Sequence, residues 1–200
     1  MNKLKISSII LLMLFFTCSC SSIKIGRDSN GPYGSRIIST KSTGIKVGDA
    51  KYNFYLALFT PYETKKYSLG VSSLYHIKEN NLLLLKLGNG ETIRLSANTV
   101  NAGEVDWPKY TPIIGGASTY GISTTQKVDY YSSLFDIDIA ILDKIEFYGI
   151  NKIRIEFFNT FHEQSWKSNK LGKYITKSRN KLDEQLNKPY KSQMSIEEGF

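Results

Sequence analysis

The chain has 200 residues, with 26 lysines and arginines against 18 acidic residues and a formal net charge of +8. That length is enough for one domain with a real core, and 41% hydrophobic content argues against a disordered body. Two cysteines cannot build a disulfide framework, and no internal repeat is visible.

The N-terminus has three parts. Lys3 and Lys5 form a short basic region, residues 9–16 are an unbroken apolar run, and Thr17-Cys18-Ser19-Cys20-Ser21-Ser22 follows. A charged start before a short apolar stretch is the pattern of a secretory signal. The run is too short for a transmembrane helix, which needs about 20 apolar residues. A small residue before a cysteine, just after the run, resembles the lipobox of bacterial lipoproteins. The resemblance implies that the cysteine sulfur takes a diacylglycerol, that the signal is removed, and that the new amine is acylated. Ser19 before Cys20 is the better match. Thr17 before Cys18 is the alternative, flanked by bulky Phe15 and Phe16. Several acyl chains on one residue give stable anchoring. The bland reading is an ordinary signal peptide with two incidental cysteines.

No acidic residue directly follows Cys20. By analogy with lipoprotein sorting in Gram-negative bacteria, this implies an outer-membrane destination in the cell envelope, with the leaflet open. The Lys-, Asn- and Tyr-rich chain behind this N-terminus is similar to small lipoproteins of the Bacteroides group. That resemblance covers the leading segment and implies no activity. Removing residues 1–19 leaves 24 basic against 18 acidic residues, a mature charge of +6.

Residues 20–50 are polar and rich in Gly, Ser and Lys, with Pro32. They read as a flexible tether, with a short strand at Arg36–Thr40. The folded body is expected over residues 51–189. Tyr52, Phe54, Leu56 and Leu58 alternate with Asn53, Tyr55, Ala57 and Phe59, and Tyr67, Leu69 and Val71 with Ser68, Gly70 and Ser72, which predicts two strands joined by a turn at Pro61. Leu82–Leu87, then Gly88-Asn89-Gly90, then residues 91–96 predict a hairpin. With Asn89-Gly90 as the turn, Leu84 faces Leu95 and Lys86 faces Ile93. The leucine strand is apolar on both sides, which places it inside a sheet.

Residues 97–117, with Trp107-Pro108, Pro112 and Gly115-Gly116, read as a long loop. Residues 120–137 read as extended. Asp138 is a plausible N-cap for a helix over Ile139–Tyr148 closed by Gly149. Strict alternation over residues 135–141 keeps a strand open as an alternative. Residues 152–157 alternate cleanly as a strand. Thr160 and Glu163 fit a capping box. A long helix is expected from there to about Lys188, stopped by Pro189, with Leu171, Ile175, Ser178, Leu182 and Leu186 buried. Residues 190–200 read as a loose tail. The sum is an α+β fold: an antiparallel, mostly meander β-sheet with one short helix and one long C-terminal helix packed on a face.

Chemistry-bearing motifs are sparse. His76 and His162 have no cysteine partners, so no zinc set is present. Asp129, Asp136 and Asp138 cluster locally, but without calcium-loop spacing. No nucleophile elbow or phosphate loop occurs. Ser21 and Lys24 match a nucleophile–base spacing only within the tether. No cofactor is implied, and the moderate charge and the compartment argue against nucleic acid.

Two surfaces stand out. Lys170, Lys173, Lys177, Lys181 and Lys188, with Trp166, fall on one arc of the last helix and suit an anionic membrane or acidic glycan. The bland reading is a solvated helix face. The segment with Trp107, Tyr110 and Tyr120 suits stacking on sugars or docking a protein. It reads equally as a cover for one end of the sheet. The expected function is therefore a lipid-anchored, non-enzymatic envelope module binding a protein or glycan partner. The runners-up are an envelope hydrolase with a dispersed carboxylate site, drawn from Asp129, Asp136 or Glu156, and a polyanion-binding domain using the basic helix face.

Overall fold

The computed structural model describes residues 22–31, 34–74, 81–115, 118–156 and 160–190. The signal segment, Cys18, Cys20, His76 and residues 191–200 lie outside the described residues. The chain runs β1 (Ile25–Asn30), β2 (Arg36–Thr40), β3 (Thr43–Val47), β4 (Ala50–Phe59), β5 (Lys66–Ser73), β6 (Leu82–Leu87), β7 (Thr92–Gly115), β8 (Ser118–Ile137), α1 (Ile139–Tyr148), β9 (Ile150–Glu156), β10 (Phe161–Ser165) and α2 (Lys170–Leu186). It is an α+β fold with an open antiparallel sheet in the order β1-β2-β4-β5-β8-β7-β6-β9-β10, and β3 beside β4.

The strands form where side chains alternate and only one face is buried deeply. In β4, Tyr52, Phe54, Leu56 and Leu58 are buried while the intervening residues are half-buried. In β9, Ile153 and Ile155 point inward and Lys152, Arg154 and Glu156 outward. A period of two matches the pleat, so one register buries all the apolar groups at once. Gly70 on β5 lies opposite Tyr55, whose ring occupies the space a Cβ would need. α2 packs on β2, β4 and β9, and α1 on α2 and β6. The α2 stripe is the expected one: Leu171, Ile175, Ser178 and Leu182 are buried and Leu186 is half-buried. Residues 139–148 are helix rather than strand. Asp138 stands at the N-cap without a side-chain bond, and Gly149 closes the helix at φ 70°.

The structure departs from the sequence reading in four places. Residues 25–47 are three strands of the sheet, not a tether. Ile38, Ile45 and Val47 are buried. The Arg36 guanidinium pairs both its Nε and one amino group with Asp28 (2.8 and 2.7 Å). Its other amino group donates to the carbonyls of Leu186 (3.2 Å) and Lys188 (2.8 Å). The Leu186 carbonyl ends α2 and the Lys188 carbonyl lies two residues beyond it, so a cation there meets an end-of-helix acceptor and the helix dipole. Gln185 adds a bond to Asp28 (2.8 Å). Polar β1 is thus held by charge and ladder bonds rather than by an apolar stripe.

β2 and β3 lie end to end along one edge of β4. At the break between them, side chains replace ladder bonds. Leu56 N–H donates to Thr40 Oγ1 (3.1 Å). The Tyr174 hydroxyl lies within hydrogen-bond distance of Thr40 Oγ1 (3.0 Å) and of the carbonyls of Lys41 (3.0 Å) and Phe54 (3.1 Å), which share its single proton.

The β6–β7 hairpin turns on three residues, not two. Gly90 N–H donates to Leu87 O (3.0 Å), and Leu87 N–H to Glu91 O (2.8 Å). Gly90 takes φ 91° and Asn89 stays at negative φ, the geometry of a three-residue loop with a left-handed glycine. The register moves by one, to Leu83↔Leu95, Leu85↔Ile93 and Lys86↔Thr92. This keeps Lys86 out of the core, where the expected register would pair it with Ile93.

Residues 97–115, expected as a loop, continue β7 and pair with β8 after a bulge between Ala97 and Thr99. The helix expected from Thr160 begins at Lys170 instead. Phe161–Ser165 pairs with β9, so Glu163 makes cross-strand bonds to Arg154 (2.8 Å) and Lys152 (2.7 Å) in place of a capping box.

Candidate functional site

The end of the β7–β8 hairpin leaves the body of the sheet. β6 stops pairing with β7 at Ser96, and β5 stops pairing with β8 at Tyr131. Beyond these points, residues 102–115 and 118–130 pair only with each other among the described strands. A ribbon of that length reaches about 45 Å at ~3.3 Å per residue. Its strands are both edges. That explains why Pro108 and Pro112 are accommodated, since proline removes a ladder donor and is tolerated where one side is unpaired.

The register fixes which residues share a side of this arm. Trp107 lies opposite Gln126, Tyr110 opposite Ser123 and Ile113 opposite Tyr120. Cross-strand partners lie on one face, and successive residues alternate. Trp107, Ile113 and Tyr120 therefore occupy register positions on one face, and Tyr110 a position on the other. Val105 and Val128 join the first face. Glu104, Asp106, Lys127 and Asp129 fall on the second, where Lys127 and Glu104 form an exposed ion pair (3.2 Å).

The basic arc expected on the last helix is split. Trp166 lies after β10, outside α2, and packs half-buried on the core. Lys181 and Lys188 both grip Glu184 (2.9 and 2.6 Å). The bonds from Lys188 and then Lys181 hold the Glu184 carboxyl down at about 2. Lys170, Lys173 and Lys177 remain exposed on the first half of α2.

The carboxylates do not converge. Asp129 and Asp136 sit seven residues apart on β8, which is about 23 Å along an extended strand, and on opposite faces. Asp136 accepts from Ser68 (2.9 Å). Glu156 stands on the other half of the sheet, 4.0 Å from Arg154. Among the described residues no group of three His, Cys, Asp or Glu side chains could hold a metal ion.

His162, expected in a helix turn, is on β10. Its Nδ1 lies 2.6 Å from the hydroxyl of buried Tyr52. Tyr67 donates to Asp183 (2.8 Å), which also pairs with Lys65 (2.6 Å). Burial, and then Asp183, push the Tyr67 hydroxyl well above the usual phenol range. These pairs join residues more than 100 positions apart and have no local signal in the chain. On the outer face of β6 and β9, a cleft of about 150 Å³ is lined by Leu84, Lys86, Thr92, Lys152, Arg154 and Glu163. Its carboxylate is already committed to Lys152 and Arg154, which hold it below the usual range.

Sequence reading also passed over Lys41 and Lys46, which it placed in a tether, and Lys51 at the start of the body, and it weighed Lys24 only as a partner for Ser21. Their signal is a run of basic residues with almost no acids. Compared with known protein families, curated proteins and solved structures, the chain finds no match.

Proposed function

We propose that this chain is a lipid-anchored cell-envelope module, acylated at Cys20, that engages a protein or glycan partner without catalysis. On this reading the meandering sheet, with both helices on one face, is a rigid mount for the arm. The arm is the observation that carries the proposal. It comprises residues 102–115 and 118–130, which pair only with each other among the described strands, with Trp107 and Tyr120 at register positions on one face. A ribbon with two free edges is open to a partner, and aromatic residues are favoured centres of interfaces. The dispersed carboxylates support no hydrolytic set, since Asp129, Asp136 and Glu156 lie on separate faces or strands.

The test is capture of partners from the native envelope by the acylated protein after mild cross-linking, with Trp107→Ala and Tyr110→Ala compared one at a time. Truncating a central aromatic costs about 2 kcal/mol or more, roughly thirtyfold in Kd. Trp107→Ala should weaken capture by that order while circular dichroism and thermal unfolding of the body stay unchanged. Equal capture by both variants and the parent would remove the arm from the proposal.

A further inference from the structure

The lysines that replace the expected tether gather at one end of the body. Residues 22–27, 40–53 and 167–178 hold nine basic side chains and one acidic, Asp49. Around residues 24, 41 and 174 the pieces meet in space: Lys41 N–H donates to Lys24 O (2.8 Å), and the Tyr174 hydroxyl lies 3.0 Å from Lys41 O. Lys46 and Lys51 stand farther along the same edge, on the face of β3 and β4 away from α2. Tyr174 is flanked on α2 by Lys173, with Lys170 one turn earlier. Lys46 and Lys51 are direct cross-strand partners. Like charges in that position destabilise a sheet. Lys24, Lys41, Lys46, Lys51, Lys170 and Lys173 are all exposed, and none enters an ion pair among the described residues. At the far end of α2 the pattern reverses: Arg36, Lys181 and Lys188 are neutralised by Asp28 and Glu184.

This lopsided charge sits where the chain leaves for Cys20. Lys24 lies four positions after Cys20, a reach of at most about 14 Å. We propose that this lysine-rich end docks on the anionic lipid surface that holds the anchor, so that the body rests against the membrane instead of swinging from it. The proposal rests on the anchored reading above. It assigns to lipid headgroups a different surface from the arm that meets the partner. Each lysine close to an anionic leaflet contributes about fivefold in partitioning, since ~1 kcal/mol per charge is typical. The attraction fades within about a Debye length, roughly 8 Å at physiological salt.

The experiment is amine-reactive footprinting of the purified, acylated protein in phosphatidylethanolamine vesicles with and without phosphatidylglycerol, read by mass spectrometry at each lysine. Labelling of Lys41, Lys46 and Lys173 should fall about fivefold in the anionic vesicles and recover at high salt. Lys65, paired with Asp183 toward the other end of α2, should not change. Equal labelling in both vesicles, or an equal fall at every lysine, would overturn the proposal. The mass of the Cys20 peptide reports the anchor separately. If that cysteine proves unmodified, the protein should still sediment with anionic vesicles and not with neutral ones. Failure to sediment would then overturn the docking too. Lys41→Glu with Lys46→Glu should abolish the difference between the two lipids while leaving thermal unfolding within a few degrees of the parent.

Discussion

Replacing Arg36 with alanine tests whether the N-terminal strands are part of the fold. The side chain makes four hydrogen bonds: two to Asp28, one to Leu186 O and one to Lys188 O. Bonds involving charged groups contribute about 1.5–3 kcal/mol each before screening, and removing one member of a buried pair costs about 3–5 kcal/mol. The Arg36 and Asp28 side chains keep 11% and 19% of their exposure, so water recovers part of the loss. A net cost of about 3 kcal/mol is expected. For a chain of this length that lowers Tm by roughly 6–12 °C. Urea unfolding followed by far-UV circular dichroism gives the free energy. Hydrogen exchange should show the last turn of α2 opening first. The variant Asp28→Asn, which keeps the shape and removes the charge, should lose less. A change below about 0.5 kcal/mol, the range of ordinary surface substitutions, would mean that residues 25–40 do not clasp α2 in solution, and the tether reading would return.

Two further outcomes follow from the same bonds. Tyr174→Phe removes the hydroxyl shared by Thr40, Lys41 and Phe54 at the β2–β3 break, and leaving those carbonyls unpaired should cost about 1–3 kcal/mol by urea unfolding. Thr40→Val in the same background should then add less than it does alone, because the two share one network. The Asp28 carboxyl is held below the usual carboxylate range, chiefly through its bond to Arg36. A carboxyl depressed in the folded state contributes stability that is present above the unfolded pKa and lost as pH falls through the folded one. Acid titration of the parent should therefore show stability falling below about pH 4, and this component should be missing in Arg36→Ala.

The parts of the fold that a reader of the sequence can find are those where one face is buried and the other is wet. β4 and β9 alternate cleanly, and the Leu171, Ile175, Ser178 and Leu182 stripe of α2 keeps helical spacing. Edge strands escape, because they bury little. β10 reads Phe-His-Glu-Gln-Ser, and its order comes from pairing with β9 and from Glu163 reaching two cations. β1 is equally polar, and its clasp joins Asp28 and Arg36 to residues near the C-terminus. The arm was hidden for a related reason: prolines and glycines usually end a strand, yet a ribbon with two free edges tolerates them. The hairpin register was ambiguous in principle, since a run of leucines fits the core in either phase and the choice fell to Gly90. For the candidate site, Trp107, Tyr110 and Tyr120 were visible as residue types. That Trp107 and Tyr120 share a face, and that Tyr110 does not, required the register.

The strand order also sets a timetable for folding. β5 takes its second neighbour from β8, not from β6, which follows it in the chain. While the polypeptide is being made, the outer edge of β5 has nothing to pair with until residues 131–137 arrive. Unsatisfied edges of this kind invite pairing with other chains, and contacts between distant segments form slowly. The bond from Arg36 to Lys188 spans 152 residues and closes after everything between them is in place. Such a chain cannot settle piece by piece from its N-terminus, because its N-terminal half has no complete sheet of its own to wait in.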